Sequence, residues 1–296
     1  KGQRADIYPR FYLPLKLGRY FTFEPVVSLR ETIYHTSDFK DINGNADDFR
    51  TREMFDIDAT LSTKIIKTFD LKRSFADMAK HEIIPQLTYG YTPHVSQETL
   101  PSFDSIDRIS EENLITWSLT NNFITKKMVL TPNGERPVYR DLAYVKLSQS
   151  FDIRKERDGE SRPFSDILLE TELRPSDYFS LDADISWDPY DTHFKKLNIG
   201  NTIKDRRGDQ LRTEYRYTSS LSESFFTRLD IKLTDRLSGY YSIEQNLDEE
   251  RTVETQAGLS YQKACWHFDL FFEESRGENS ITFLINLVGI GEFGTK

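Results

Sequence analysis

From Phe179 to Trp187 the chain reads FSLDADISW, with an apolar residue at every second position. Phe179, Leu181, Ala183, Ile185 and Trp187 therefore share one face of an extended segment, while Ser180, Asp182, Asp184 and Ser186 share the other. The same period recurs along the chain. Phe21, Phe23, Val27, Leu29 and Ile33 alternate with Thr22, Glu24, Ser28, Arg30 and Thr32. Phe55, Ile57, Ala59, Leu61 and Ile65 alternate with Asp56, Asp58, Thr60, Ser62 and Lys64. Ala143, Val145, Leu147, Phe151 and Ile153 alternate with Tyr144, Lys146, Ser148, Ser150 and Asp152, and similar runs cover 211–217, 225–233 and 266–272. About fifteen segments of this kind, most about 9 to 12 residues long, match the length of a tilted membrane-crossing strand. No helical period stands between them, so the pattern predicts an all-β, antiparallel protein.

Connection lengths decide which kind. Counted back from the C-terminus, every second connection is tight: Lys263–Ala264, RPSDY (174–178), DRRGD (205–209), LTDRL (233–237) and KLGR (16–19). The longest connections, 35–51 and 92–113, fall on the other side. Two tight-side connections, near 67–80 and 125–139, read as longer than this rule wants. Short turns on one rim and long loops on the other predict an antiparallel transmembrane β-barrel. Aromatic residues near strand ends, Tyr20 and Phe21 against Tyr34 and Tyr178 and Phe179 against Trp187 and Tyr190, suit two interfacial girdles. A soluble β-sandwich with one wet face explains the alternation equally well, but the strand length and loop asymmetry less well.

Mean hydropathy of -0.60 and 29% charged residues resemble a soluble protein. That average excludes membrane helices, since no stretch nears the roughly 18 apolar residues one needs. It does not exclude a barrel, whose strands alternate. A net charge of -9 leaves no basic stripe to displace counterions from phosphates, so nucleic acid is not an expected partner. The chain begins at Lys1 without a signal peptide, which reads as a piece of something larger. The single cysteine, Cys265, permits no internal disulfide and no thiolate zinc site.

Several motifs point to chemistry without the context it needs. GIGEFG from Gly289 completes a dinucleotide fingerprint but has no room for the helix that receives a pyrophosphate, so it reads as a terminal strand and its tail. Asp41, Asn43, Asn45 and Asp47 occupy alternate positions of a calcium loop. Ala46 stands where glycine is needed and Arg52 where glutamate is needed, which favours a solvated acidic loop. The five histidines show no ligand spacing, and no Ser/His/Asp set can be defended. The expectation is a protein with no catalytic residues, no cofactor and no metal. Cys265 itself reads either as a small buried hydrophobe or as a thiol with a partner elsewhere.

At HEIIPQLTYGYTP (81–93), followed by LPSFDSIDRISEEN (100–113), the sequence resembles the LPS-assembly proteins of the LptD (OstA/Imp) family. Looser matches are RADIYPRFYLPL (4–15), LSQSFDI (147–153), RPFSDILLE (162–170), Cys265–Trp266 and ITFLINLVGIGEFG (281–294), in the family's order. The resemblance implies that residues 1–296 are the C-terminal portion, about fifteen strands, of a larger outer-membrane barrel. The periplasmic jellyroll and first barrel strands of such a protein are not in this sequence. It implies a translocon that inserts lipopolysaccharide into the outer leaflet, through the lumen for the sugars and a lateral gate for the acyl chains. Implied partners are lipopolysaccharide, outer-membrane lipid, an LptE-like plug lipoprotein and the periplasmic Lpt bridge. Family members carry long-range disulfides from cysteines near this point, often adjacent ones; here Ala264 precedes Cys265, so a single interdomain bridge is the most that is implied. Reading 280–287 as the last strand makes Ile281, Thr282, Phe283, Leu284, Ile285, Asn286 and Leu287 one side of the gate. Ile281, Phe283, Ile285 and Leu287 are expected to face lipid. A porin-like or siderophore-type channel without a plug is the competing expectation.

Overall fold

A computed structural model describes residues 2–37, 39–73, 75–132, 134–275, 277–287 and 291–295. They form nineteen antiparallel strands: β1 (Gly2–Ile7), β2 (Arg10–Tyr12), β3 (Leu15–Leu17), β4 (Phe21–Thr36), β5 (Phe49–Thr63), β6 (Ile65–Arg73), β7 (Ala76–Thr92), β8 (Glu112–Thr131), β9 (Gly134–Asp152) and β10 (Ile167–Ser176). Then follow β11 (Phe179–Asp188), β12 (His193–Lys204), β13 (Gln210–Thr218), β14 (Ser222–Lys232), β15 (Leu237–Asn246), β16 (Arg251–Lys263), β17 (Trp266–Ser275), β18 (Glu278–Leu287) and β19 (Gly291–Thr295). The all-β antiparallel expectation holds, and it is consistent with part of a β-barrel.

The strand count exceeds the sequence reading because some strands are interrupted passes. β1, β2 and β3 all pair with β4 in one unbroken register, Gly2↔Thr36, Arg10↔Ser28 and Leu15↔Phe23. The gaps fall at Pro9 and Pro14, which have no N–H to give the ladder. Carbonyls keep the ladder going: Leu29 N–H donates to Pro9 O, and Leu13 N–H donates to Pro25 O. β5 and β6 are separated by Lys64 alone. Taking each of these two sets as one pass reduces the nineteen strands to sixteen.

Three local expectations are corrected. Residues 67–80 and 125–139 are not long connections: β6 runs to Arg73, β7 starts at Ala76, β8 runs to Thr131 and β9 starts at Gly134. Both connections therefore obey the tight-turn rule that they had seemed to break. Ile153 is not a strand residue. It opens a short helix, α1 (Ile153–Arg157), whose N-cap Asp152 accepts a hydrogen bond from Lys155 N–H at 3.0 Å. Finally, 280–287 is not the last strand. β18 spans Glu278–Leu287, and β19 pairs with its second half, Phe283↔Thr295 to Leu287↔Gly291. Gly289 of the fingerprint lies outside the described residues.

The chain divides into two compact units, residues 1–67, 82–120 and 147–166 in one, and 68–81, 121–146 and 167–296 in the other. In the first, burial is inverted relative to a soluble domain. Val27, Leu29 and Ile33 of β4 are exposed, whereas Ser28 and Thr32 between them are fully buried. In the second unit Ile203, Leu229, Leu259 and Leu270 of the apolar face are exposed. Large exposed apolar residues in continuous rows mark a surface that meets something other than water. Tyr34 departs from its assigned girdle: it is on the polar face of β4 and fully buried. Tyr20, Tyr178 and Tyr190 are exposed. No helix among the described residues is long and apolar enough to cross a membrane, which leaves crossing by strands untouched.

Candidate functional site

The polar face carries the chemistry, and the two units build it differently. In the first, the loop of residues 93–111 folds onto the polar face of β1, β4 and β5. Its anchor is a 3-10 turn, Ser105–Asp107, capped by Asp104, whose carboxylate accepts from Ile106 N–H at 2.9 Å. Arg4 of β1 forks between two carboxylates of that turn, Nη1 to Asp107 Oδ1 at 2.8 Å and Nη2 to Asp104 Oδ2 at 2.7 Å. Arg52 of β5 is 2% exposed and donates to Gln97 Oε1 at 2.8 Å, Thr32 Oγ1 at 3.0 Å and Ile106 O at 2.9 Å. Gln97 returns its amide to Ile109 O at 2.7 Å, and Arg108 donates to Leu100 O at 2.9 Å.

Asp107 is fully buried. Burial acts to raise its carboxyl, but N–H groups of Asp104 and Phe103 together with the Arg4 guanidinium outweigh it and hold it at about 2. Asp104 is held below the ordinary carboxylate range chiefly by Arg4. A buried charge is tolerated only when paired and fully bonded, and this one is. The sequence offered one signal for the set: SFDSIDR is among the stretches that carry the family resemblance. That Arg4 and Arg52 would be its partners was not legible, because both look like ordinary polar-face residues.

In the neighbouring loop the first of the calcium-loop positions is bonded within the protein itself. Asp41 Oδ1 accepts from the N–H groups of Asn43 and Asn45, both at 2.9 Å, and Oδ2 pairs with Arg50 at 3.1 Å. Arg50 also donates to Thr99 O at 2.7 Å, so this carboxylate ties the two loops together. Elsewhere Asp188, Asp191 and His193 cluster at the β11–β12 turn, where Asp188 accepts from Tyr190 N–H and pairs with Lys195 at 3.1 Å. That geometry is a turn held by its own aspartate.

In the second unit the polar face stays open. Asp182 and Asp184 are exposed, and with Asn198, Arg212, Glu214 and Arg216 they line a hollow of about 250 Å³. Arg216 pairs with Glu214 on its own strand and with Glu244 at 3.4 Å, and Arg228 pairs with Asp230 at 3.0 Å. These are partly exposed, mixed-sign ladders.

The residues singled out from sequence lie in this second unit. Cys265 is exposed in the two-residue turn between β16 and β17, which removes the buried-hydrophobe reading. In β18, Ile281, Phe283 and Ile285 are exposed. The register puts Ile281 opposite Phe272 and Phe283 opposite Leu270, on the apolar face, while Thr282 faces Phe271 and Leu284 faces Asp269.

An antiparallel β protein whose apolar face is bare and whose polar face is charged has the construction of an outer-membrane barrel wall. The sequence model of the family described as LptD, LPS transport system D, matches residues 1–228, and the chain belongs to that family. It is similar to the LPS-assembly protein LptD of Marinobacter nauticus, 26% identical over 99% of this chain and 39% of the relative. It is 25% identical to that of Aromatoleum aromaticum over 90% of this chain and 35% of the relative. For that of Thiobacillus denitrificans the identity is 21%, covering 100% of this chain and 42% of the relative. The chain thus spans about two fifths of the length of these relatives.

Proposed function

We propose that this chain is the C-terminal part of the outer-membrane barrel of a lipopolysaccharide translocon. The observation that carries the reading is the exposed apolar face of strands of period two, in a chain of the LPS transport system D family. An apolar wall of Leu, Ile and Phe loses nothing in hydrocarbon, and the backbone polar groups behind it are satisfied by the strand ladders. The opposite face, a mixture of arginines and carboxylates, gives sugar hydroxyls and phosphates hydrogen-bonding partners of both kinds. Insertion into the outer leaflet, a plug lipoprotein in the lumen, and delivery by a periplasmic bridge through an N-terminal domain complete the proposal. Cys265, exposed on the short-turn rim, is the candidate for a disulfide to that domain.

The gate belongs at the C-terminal edge of the sheet. β19 covers only Phe283–Leu287 on the far side of β18, so Glu278–Thr282 have no strand partner there among the described residues. Unpaired ladder groups are where strands separate most easily. The gate therefore opens beside Ile281 and Thr282, with Phe283–Leu287 as its hinge side. A disulfide between a cysteine introduced at Ser280 and the first barrel strand of the full-length protein, with Cys265→Ala, tests this. Export of lipopolysaccharide should stop while the barrel stays folded. Undiminished export with the cross-link complete rules the seam out, and free passage of small solutes without lipopolysaccharide export favours a porin-like channel.

A further inference from the structure

At the short-turn rim of the second unit the polar face forms a hollow of about 550 Å³, inside the roughly 300–1,000 Å³ range of ligand-sized pockets. The register defines its walls. Lys232 alternates with Ile231 on β14 and so stands on the polar face, opposite Ser238, which in turn is opposite Ser260. Gln262 follows on the same face of β16. Arg236 lies across from it, because Gln262 N–H donates to Arg236 O at 2.8 Å. The β14–β15 turn that carries Arg236 is held by Thr234, whose Oγ1 accepts from Arg236 N–H at 3.2 Å and Leu237 N–H at 3.0 Å. On the other side Lys232 reaches the β12–β13 turn. A Cβ added at Gly208 would meet Lys232 Nζ at 2.6 Å, so glycine there leaves room for the ammonium.

The nearby acids are engaged elsewhere, which separates this hollow from the mixed-sign ladders. In the β12–β13 turn, Asp205 Oδ1 accepts from the N–H groups of Arg207, Gly208 and Asp209 at 2.8, 2.7 and 2.9 Å. Asp209 gives one oxygen to Lys232 N–H at 2.7 Å and the other to the Arg207 guanidinium at 3.0 Å. On the strands, Asp230 is held by Arg228 at 3.0 Å, and Asp269, opposite Ser260, by His267 at 2.5 Å. Lys232 and Arg236 are both exposed, and among the described residues neither side chain makes an ion pair. The side chains of Ser238, Ser260 and Gln262 likewise make no hydrogen bond among the described residues. One unpaired acid, Asp235, lines the hollow with them.

We propose that this hollow is a binding site for a phosphorylated sugar, its phosphate at Lys232 and Arg236 and its hydroxyls at Ser238, Ser260, Gln262 and Asp235. A phosphate monoester carries more than one negative charge and three terminal oxygens, enough to engage an ammonium and a guanidinium together. Asp235 decides between a sugar phosphate and bare phosphate. A carboxylate repels an anion, but it accepts hydrogen bonds from sugar hydroxyls. The inference rests on the translocon reading given above and deepens it. On that reading the hollow lies on the lumen face at the short-turn rim, where phosphate-bearing sugars of the cargo enter.

The test uses the full-length protein in nanodiscs, titrated calorimetrically with glucose 6-phosphate, inorganic phosphate and glucose. The wild type should bind glucose 6-phosphate more tightly than inorganic phosphate and give no heat with glucose. Lys232→Gln and Arg236→Gln should each weaken glucose 6-phosphate about tenfold, the loss of one charge-assisted hydrogen bond. Asp235→Ala should tighten inorganic phosphate and so narrow the preference for the sugar phosphate. Lys263→Gln, on the apolar face of the same rim, should change nothing. Heat-modifiable migration on gels shows that each variant is folded. Unchanged binding in the folded Lys232→Gln, Arg236→Gln double variant overturns the site. Equal binding of inorganic phosphate and glucose 6-phosphate overturns the sugar assignment and leaves an adventitious anion patch only. In cells the double variant should export lipopolysaccharide more slowly; full export without glucose 6-phosphate binding contradicts the site's place on the cargo's route. A wild type that binds glucose 6-phosphate as expected but exports no lipopolysaccharide sinks the translocon reading and keeps the site.

Discussion

The two units share a strand pattern and differ in what they do with its polar face. In the first, four arginines (Arg4, Arg50, Arg52 and Arg108) draw two loops down onto the strands, and Asp107 and Thr32 disappear from solvent. In the second, Arg216, Arg228, Glu214 and Asp230 pair along or between strands and stay partly exposed. The same residue types thus make a closed network in one place and an open charged surface in the other. The difference comes from connection length. Residues 93–111 give the first unit enough chain to cover its own strands. The connections after β11, β13 and β15 in the second unit are four, three and four residues. A buried network is worth much and is brittle; an exposed ladder is worth little and is adaptable.

The largest effect should come from breaking the buried side. Asp107→Ala removes one of the two carboxylates that Arg4 holds and leaves two backbone N–H groups without their acceptor, and should cost about 3 to 5 kcal/mol. Urea titration of the refolded protein, with protease nicking within 93–111 as local readout, measures it. A cost below about 1 kcal/mol would place Asp107 among surface pairs and erase the contrast.

Next in size is the apolar face, where both units should behave alike. Leu181→Arg at mid-depth should cost about 2 to 4 kcal/mol in a lipid folding assay, and Asp182→Arg little. A reversed ranking would mean that the faces are assigned the wrong way round.

Acid should distinguish the units more gently. The Asp107 carboxyl is depressed to about 2 against about 3.9 in an unfolded chain, so its contribution is complete above that upper value and lost as pH falls toward the lower. The loss, about 2 to 3 kcal/mol, should appear as pepsin cleavage within 93–111 that rises between pH 4 and 2. Cleavage already complete at pH 5 would contradict the buried assignment. Smallest of all, Glu214→Ala in the open ladder should cost about 0 to 1 kcal/mol, and high salt should shrink even that.

How much of this was legible can be followed at single residues. Leu181 and Asp182 were separable by eye because period two needs no tertiary knowledge. Passes interrupted by proline were harder: Pro9 and Pro14 break the strands β1 to β3 without breaking their shared register with β4. The stretches 67–80 and 125–139 read as loops because Lys72, Arg73, Lys126 and Lys127 dilute the apolar count, although the strands simply continue through them. Tyr34 was misplaced because an aromatic near a strand end suits a girdle equally well, and only its parity with Ser28 and Thr32 says otherwise. The Arg4–Asp107 contact joins residues about a hundred positions apart across a loop, and no local pattern encodes such a meeting. The β16–β17 turn shows the reverse case: flanking alternation alone put it at Lys263–Ala264, one residue from the observed Ala264–Cys265.

The central claim is that water meets one face of these strands and lipid the other, and adjacent residues test it most directly. In the full-length protein with Cys265→Ala, reconstituted in liposomes, Asp184→Cys and Ile185→Cys differ by one position and point to opposite faces. A water-soluble, membrane-impermeant maleimide should label Asp184→Cys and leave Ile185→Cys unreacted until detergent is added. Equal labelling of both positions in intact liposomes, or labelling of Ile185→Cys alone, would contradict the account.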